Sequence, residues 1–146
     1  MAHTLLIVHS YVRWLVLLAA LVAVARAVSG VAAGRSYGAA DAKSALFFMI
    51  AMDTQFLLGI VLYGISPLMR EAMHNMAASM ADAPTRFFVA EHPTFMLLAL
   101  VLVHVGRVLT KRAELDRAKF VRSAVSFAAA TGLMLAGIPW WRLAAV

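Results

Sequence analysis

The chain has 146 residues, 64% of them hydrophobic and only 14% charged, with a formal net charge of +6. A water-soluble domain is about half apolar and about a quarter charged, so this composition leaves no room for a soluble domain, and the positions of the positive charges argue against a nucleic-acid partner. The absence of cysteine removes disulfides, iron–sulfur clusters and thiolate metal sites. Histidine, methionine, carboxylate and amide remain as possible ligands.

The apolar residues gather into four runs, Leu5–Ala25, Ala45–Ile65, Phe87–Leu109 and Val121–Ile138. Each is near the length of about 20 residues that crosses a hydrocarbon core about 30 Å thick. The expected fold is all-α: an integral membrane four-helix bundle, one four-span domain over residues 1–146, with a short amphipathic helix between spans two and three.

The first run holds His9, Arg13 and Trp14. Arg13 follows His9 by four positions, so the two share a helix face. Ala25-Arg26-Ala27 resembles a signal-peptide cleavage site, but no Lys or Arg precedes the run and Arg13 lies inside it. The first span is therefore expected to stay. Ala19, Ala23 and Ala27 form a small-residue row of the kind that lets membrane helices approach closely, and Ala128, Gly132 and Ala136 do the same in the last run.

The second run places Asp53 and Gln55 near its middle and ends at Pro67. Gly59 and Gly64 are read as further close-packing positions. An unpaired carboxylate at that depth is unfavourable, and Arg13 is its expected partner when depth is counted from the outer face. The connection from Ser66 to Thr85 aligns Met69, Met73, Met76 and Met80 in one stripe. The stripe reads as an amphipathic helix on the outer leaflet or capping the bundle; its sharper reading is a thioether face for Cu(I), with His74 nearby.

The third run opens with Arg86, Glu91, His92 and Pro93 and carries His104 further along. Glu91 has Arg13, Arg86 and Arg142 as possible partners. Trp14, Tyr63, Trp140 and Trp141 fall toward one face, as an interfacial aromatic belt does.

Charges set the orientation. Arg26, Arg35 and Lys43 lie between spans one and two, and Arg107, Lys111, Arg112, Arg117, Lys119 and Arg122 between spans three and four. The middle connection has only Arg70 and Arg86. By the positive-inside rule, the first and third connections are cytoplasmic and both termini outside. His9 and His92 then fall near the outer face and His104 near the inner one.

Ionisable groups inside a membrane are functional candidates by default. Two histidines at equal depth on different helices can act as ligands for haem iron, copper or zinc, built from facing helices of a bundle. A b-type haem needs one or two axial ligands, an apolar slot and cations for its propionates. His9 and His92 offer the ligands, and Arg13, Arg86 or Arg142 the cations. A small metal ion, or packing without a cofactor, are the other readings of the same pair. His104 is about 18 Å along the helix from His92 and rotated by about 120°, which separates it from this pair.

The segments His9-Ser10-Tyr11-Val12-Arg13-Trp14-Leu15, Gln55-Phe56-Leu57-Leu58-Gly59-Ile60-Val61-Leu62-Tyr63 and Arg86-Phe87-Phe88-Val89-Ala90-Glu91-His92-Pro93 resemble a family of small four-helix bacterial membrane proteins labelled cytochrome b-like. The resemblance implies a multi-pass protein of the bacterial inner membrane that holds haem b, with the histidines of the first and third segments as ligand candidates. Relatives carry a histidine where this chain has Asp53, which puts a ligand or proton-handling role on span two in doubt.

The leading expectation is a membrane cytochrome with one bis-histidine haem b and both termini periplasmic. It passes electrons, with quinone or a redox protein as partner and with Asp53 or Glu91 handling the proton. A six-coordinate haem leaves no open position for substrate, so electron transfer ranks above catalysis. A copper-binding membrane protein is the second reading, and a cofactor-free transport or assembly subunit the third. Four spans are few for a carrier, so a homo-oligomer is expected.

Overall fold

A computed structural model describes residues 1–145 and is helical throughout its regular structure. Four stretches are long and apolar enough to cross a membrane. They are α1 (Ala2–Ala33), α2 (Ala39–Ile65), α6 (His92–Lys111, continuous with residues before it) and α7 (Asp116–Gly137). Three short helices fill the middle connection: α3 (Pro67–His74), α4 (Met76–Ala81) and α5 (Ala83–Arg86). A π-helical turn, Phe87–Glu91, joins α5 to α6, and a 3-10 turn, Trp140–Ala145, follows α7.

Length explains the architecture. The 32 residues of α1 give about 48 Å at 1.5 Å per residue, more than the hydrocarbon core needs. The helix continues past the apolar run because nothing breaks it before Gly34, which adopts the left-handed conformation (φ 60) that favours glycine. Gly38 then precedes α2, and its N–H donates to the Asp41 carboxylate at 3.0 Å.

The four long helices alternate in direction and pack as a square. α1 lies against α2 and α7, α6 lies against α7 and α2, and the α2–α6 seam is the least closely packed. α1 and α6 therefore stand on a diagonal and run the same way. The core holds Val16, Ala20, Phe48, Met52, Ala99, Val103, Phe127 and Ala130, with the Phe48 and Phe127 rings edge to face at 5.5 Å. Large apolar side chains such as Leu18, Leu21, Leu57, Val101 and Val125 cover the outside. An outward apolar surface is what hydrocarbon requires, because lipid offers no hydrophobic drive to hide it.

The two small-residue rows have different fates. Ala19, Ala23 and Ala27 of α1 are buried within the bundle. One turn on, a Cβ on Gly30 would run into the Phe120 ring. Ala128, Gly132 and Ala136 of α7 face outward instead.

The middle connection differs from the single helix expected. Asn75, at φ −134 and ψ 70, ends α3, and its side chain accepts the Ala78 N–H to start α4. The break separates Met69 and Met73 from Met76 and Met80, and the burial is split differently: Met69 packs against Tyr63, Phe88 and Val89, while Met73, Met76 and Met80 are exposed.

Candidate functional site

His9 of α1 and His92 of α6 meet across the bundle diagonal, near the end where α1 begins. Their ring centroids are 6.3 Å apart with planes inclined at 71°. The separation follows from the square packing: neither helix touches the other closely, so only long side chains bridge the diagonal.

His92 is oriented from the far side. Its Nδ1 lies 2.6 Å from the Gly137 carbonyl oxygen. A carbonyl only accepts, so Nδ1 carries the proton and Nε2 keeps its lone pair. Gly137 is the last residue of α7, where helix carbonyls lack intrahelical donors. The histidine satisfies one of them. Gly137 must be small, because a Cβ there would sit 2.8 Å from Phe95 Cβ and 2.5 Å from Met96 Cε.

The backbone before His92 is also explained by sequence. Pro93 lacks the N–H that would bond the Val89 carbonyl four residues earlier. Tyr63 of α2 replaces it, its hydroxyl donating to Val89 O at 2.9 Å. The His92 N–H reaches back to Phe87 O in a π-type bond, a local widening that recurs at functional sites. Phe87 itself lies 6.1 Å from the His92 ring and 4.7 Å from Trp141, so the tail after α7 covers this end.

His9 is held from α2. Gln55 Nε2 donates to the His9 carbonyl at 2.9 Å. Gly59 lets the ring lie against the α2 backbone, since a Cβ there would come within 3.3 Å of His9 Cε1. Arg13, one turn deeper, is close enough to act electrostatically on both imidazoles, and its guanidinium lies 5.3 Å from the half-exposed Trp14 ring.

Polar bookkeeping separates this cluster from the rest of the molecule. His9 Nδ1, Arg13 Nε and Gln55 Oε1 are the buried side-chain polar atoms left without a partner among the described residues. Native interiors satisfy nearly all such groups, and an exception calls for an absent water, ion or ligand.

Other expected site residues are placed elsewhere. Asp53 does not pair with Arg13: its Oδ1 lies 3.4 Å from His104 Nε2 across the α2–α6 seam. Counting depth from the helix ends gave no information about which neighbour α2 faces, and the square arrangement turns Asp53 toward α6. His104 Nδ1–H donates to the Leu100 carbonyl at 3.1 Å, which leaves Nε2 facing the carboxylate. Glu91 pairs with Arg86 at 2.8 Å on a half-exposed surface. Arg142 stacks over Phe88 at 5.1 Å.

The donor set fits a bis-histidine group. His92 would offer Nε2 to such a group with its other nitrogen already anchored to a carbonyl, and His9 Nδ1 is buried without a partner. No cluster of three or more histidines and carboxylates suited to a bare ion is found among the described residues.

Tyr63, Gly59 and Gly137 complete the site without having been singled out for these roles. Pro93 was the available signal for Tyr63, because it announces a carbonyl in need of a donor. Comparison with known proteins finds no family model, curated protein or solved structure that matches this chain.

Proposed function

We propose that the protein is a membrane b-type haem protein that transfers electrons, with His9 and His92 as the axial ligands. One observation carries the reading: two imidazoles 6.3 Å apart share their site with a half-buried cation, Arg13, whose Nε is buried without a partner and which has no anionic partner among the described residues. A group with a metal centre and carboxylate edges answers both needs, since a haem takes two axial ligands and pairs its propionates with cations. When bound, haem b supplies one-electron chemistry between two iron oxidation states.

The chain's own residues do the rest. Gly137 fixes the His92 ring, Gln55 and Gly59 fix His9, and Arg13 supplies positive charge where the ligand is negative. Trp141 and Phe87 exclude water from the end. Asp53, beside His104 near mid-membrane, is the group proposed to handle the accompanying proton, whereas Glu91 pairs with Arg86 at the surface. The two-ligand set favours haem over a bare ion, which commonly takes four ligands. With both positions filled by histidine, the partner is a quinone or redox protein that exchanges electrons at the edge.

The arginine-rich end is assigned to the cytoplasm of a bacterial inner membrane and both termini to the periplasm, on the charge asymmetry of the connections. The outward row of Ala128, Gly132 and Ala136 supports association of copies.

The purified protein is expected to show a Soret band and sharp reduced α and β bands. His9→Ala and His92→Ala should each abolish them, and His104→Ala should leave them. A colourless protein made with ample haem would sink the reading. Bleaching by His104→Ala alone would move the site.

A further inference from the structure

The loosely packed seam between α2 and α6 opens, at the end away from the histidines, into a cavity of about 220 Å³. Arg107, Thr110 and Lys111 of α6 line one side, with Lys119 of α7, Tyr37 of the first connection and Ala42 of α2 opposite. Three cations and the Tyr37 hydroxyl thus rim one space whose wall is mostly apolar; the Thr110 hydroxyl is taken, donating to the Gly106 carbonyl and meeting Ser123.

Their positive charge is largely unspent. Arg107 makes one hydrogen bond among the described residues, from Nη1 to the Ala42 carbonyl at 3.3 Å; a guanidinium has five N–H donors. Lys111 is exposed and has no ion pair among those residues. Lys119 shares Asp116 at 3.0 Å and leans over the Tyr37 ring. Asp41, the nearest other carboxylate, is taken by Arg26 and Arg35. Burial, with Asp41 adding to it, pushes the Tyr37 phenol up from its ordinary pKa, so its hydroxyl stays a donor at neutral pH.

We propose that this cavity binds a phosphate group, delivered by an anionic phospholipid of the adjoining leaflet. A forked guanidinium, two ammonium groups and a phenol donor are the chemistry that recognises phosphate. The cavity is smaller than the roughly 300 Å³ at which pockets begin to hold whole cofactors or drug-sized ligands, which suits a headgroup. The source is argued from position. Leu46 and Ile50 of α2 and Val105 of α6 are exposed along the same stretches and meet hydrocarbon, so the cavity lies where acyl chains give way to headgroups. Basic pockets between helices at a cytoplasmic face attract anionic lipids. The site is independent of the haem and rests on the orientation proposed above only for the choice of leaflet.

The test is lipid retention by the full-length protein in detergent, read by native mass spectrometry with phosphatidylglycerol or phosphatidylcholine added. Phosphatidylglycerol should be retained about tenfold or more over phosphatidylcholine, given about 1 kcal/mol per cation near the surface. Arg107→Gln with Lys111→Gln should remove that preference while the helical circular dichroism is kept. Lys111→Gln alone, a change at an exposed position, and added salt should each weaken it if the double variant fails to fold. Equal retention of both lipids, or a preference unchanged in the variants and in salt, overturns the proposal. Displacement of phosphatidylglycerol by millimolar inorganic phosphate would overturn the lipid source and assign the pocket to free phosphate.

Discussion

At the arginine end of the bundle, Asp41 accepts from Arg26, from the two terminal guanidinium nitrogens of Arg35 and from the Gly38 amide. At the histidine end, His9, Arg13 and Gln55 each keep a buried polar atom without a partner among the described residues. Both ends put charge inside a mostly apolar molecule. One is closed upon itself: Arg35 also caps the Arg26 carbonyl at 2.9 Å and stacks on Phe120, and Thr110 meets Ser123 beside it. The other is geometrically ordered yet chemically incomplete. A saturated network needs nothing further and is a packing device; an ordered, unsaturated one is shaped for something else to complete it.

The contrast is broken most forcefully at the closed end. Asp41→Ala leaves two arginines facing each other. A fully buried pair loses about 3–5 kcal/mol when one partner goes, and the one-third exposure of these arginines lowers the expectation to about 2–3 kcal/mol. Thermal unfolding in detergent measures it, and, on the function proposed above, the haem spectrum should be unchanged. A bleached but folded variant would show that the two ends are not separate in function.

Gly137→Ala tests the open end next. Its Cβ meets Phe95 and Met96, an overpacking cost of about 1–3 kcal/mol, and moves the carbonyl that orients His92. Lower stability together with a shifted reduction midpoint is expected. Lower stability with an unaltered midpoint would reduce Gly137 to a packing residue. Tyr63→Phe removes the donor to Val89 O and should cost about 1 kcal/mol, with the π turn exchanging its amides faster; unchanged exchange there would deny Tyr63 that role.

The smallest effect lies in the connection. The Thr85 hydroxyl and N–H hold the Asp82 carboxyl below its ordinary value. Its contribution to the start of α5 is therefore present above the unfolded pKa of about 3.9 and is lost as pH falls through the lower folded value. A lower protection factor at Thr85 (its exchange rate relative to the unstructured-chain rate at the same pH) below about pH 4, with both ends of the bundle unaffected, is the expected sign. An equal protection factor at pH 3 and pH 6 would refute it.

The fold was largely legible because spanning hydrocarbon imposes a length and a composition that run length alone detects. Helix ends were less so, since α1 runs on through Ala33 until a glycine stops it, well past the apolar residues. The meeting of His9 and His92 was readable from equal depth on two parallel spans. The partner of Asp53 was not, because depth says nothing about which neighbour a face meets, and that depends on the order of helices around the square. The methionine stripe misled for two local reasons: spacing alone does not reveal that Asn75 turns from helix interior to cap, nor that Tyr63, Phe88 and Val89 cover Met69 and leave Met73 exposed.

The position of the Asp53–His104 pair has a mechanical consequence. It ties α2 to α6 near the middle of α2, across the least closely packed seam of the square. Polar contacts between membrane helices are worth about 0.6 kcal/mol on average, so the tie is weak and the seam is the place where the bundle parts most readily. Asp53→Ala should speed amide exchange in the facing turns of α2 and α6 and leave α1 and α7 unchanged; unchanged exchange along the seam would show that apolar packing alone holds it.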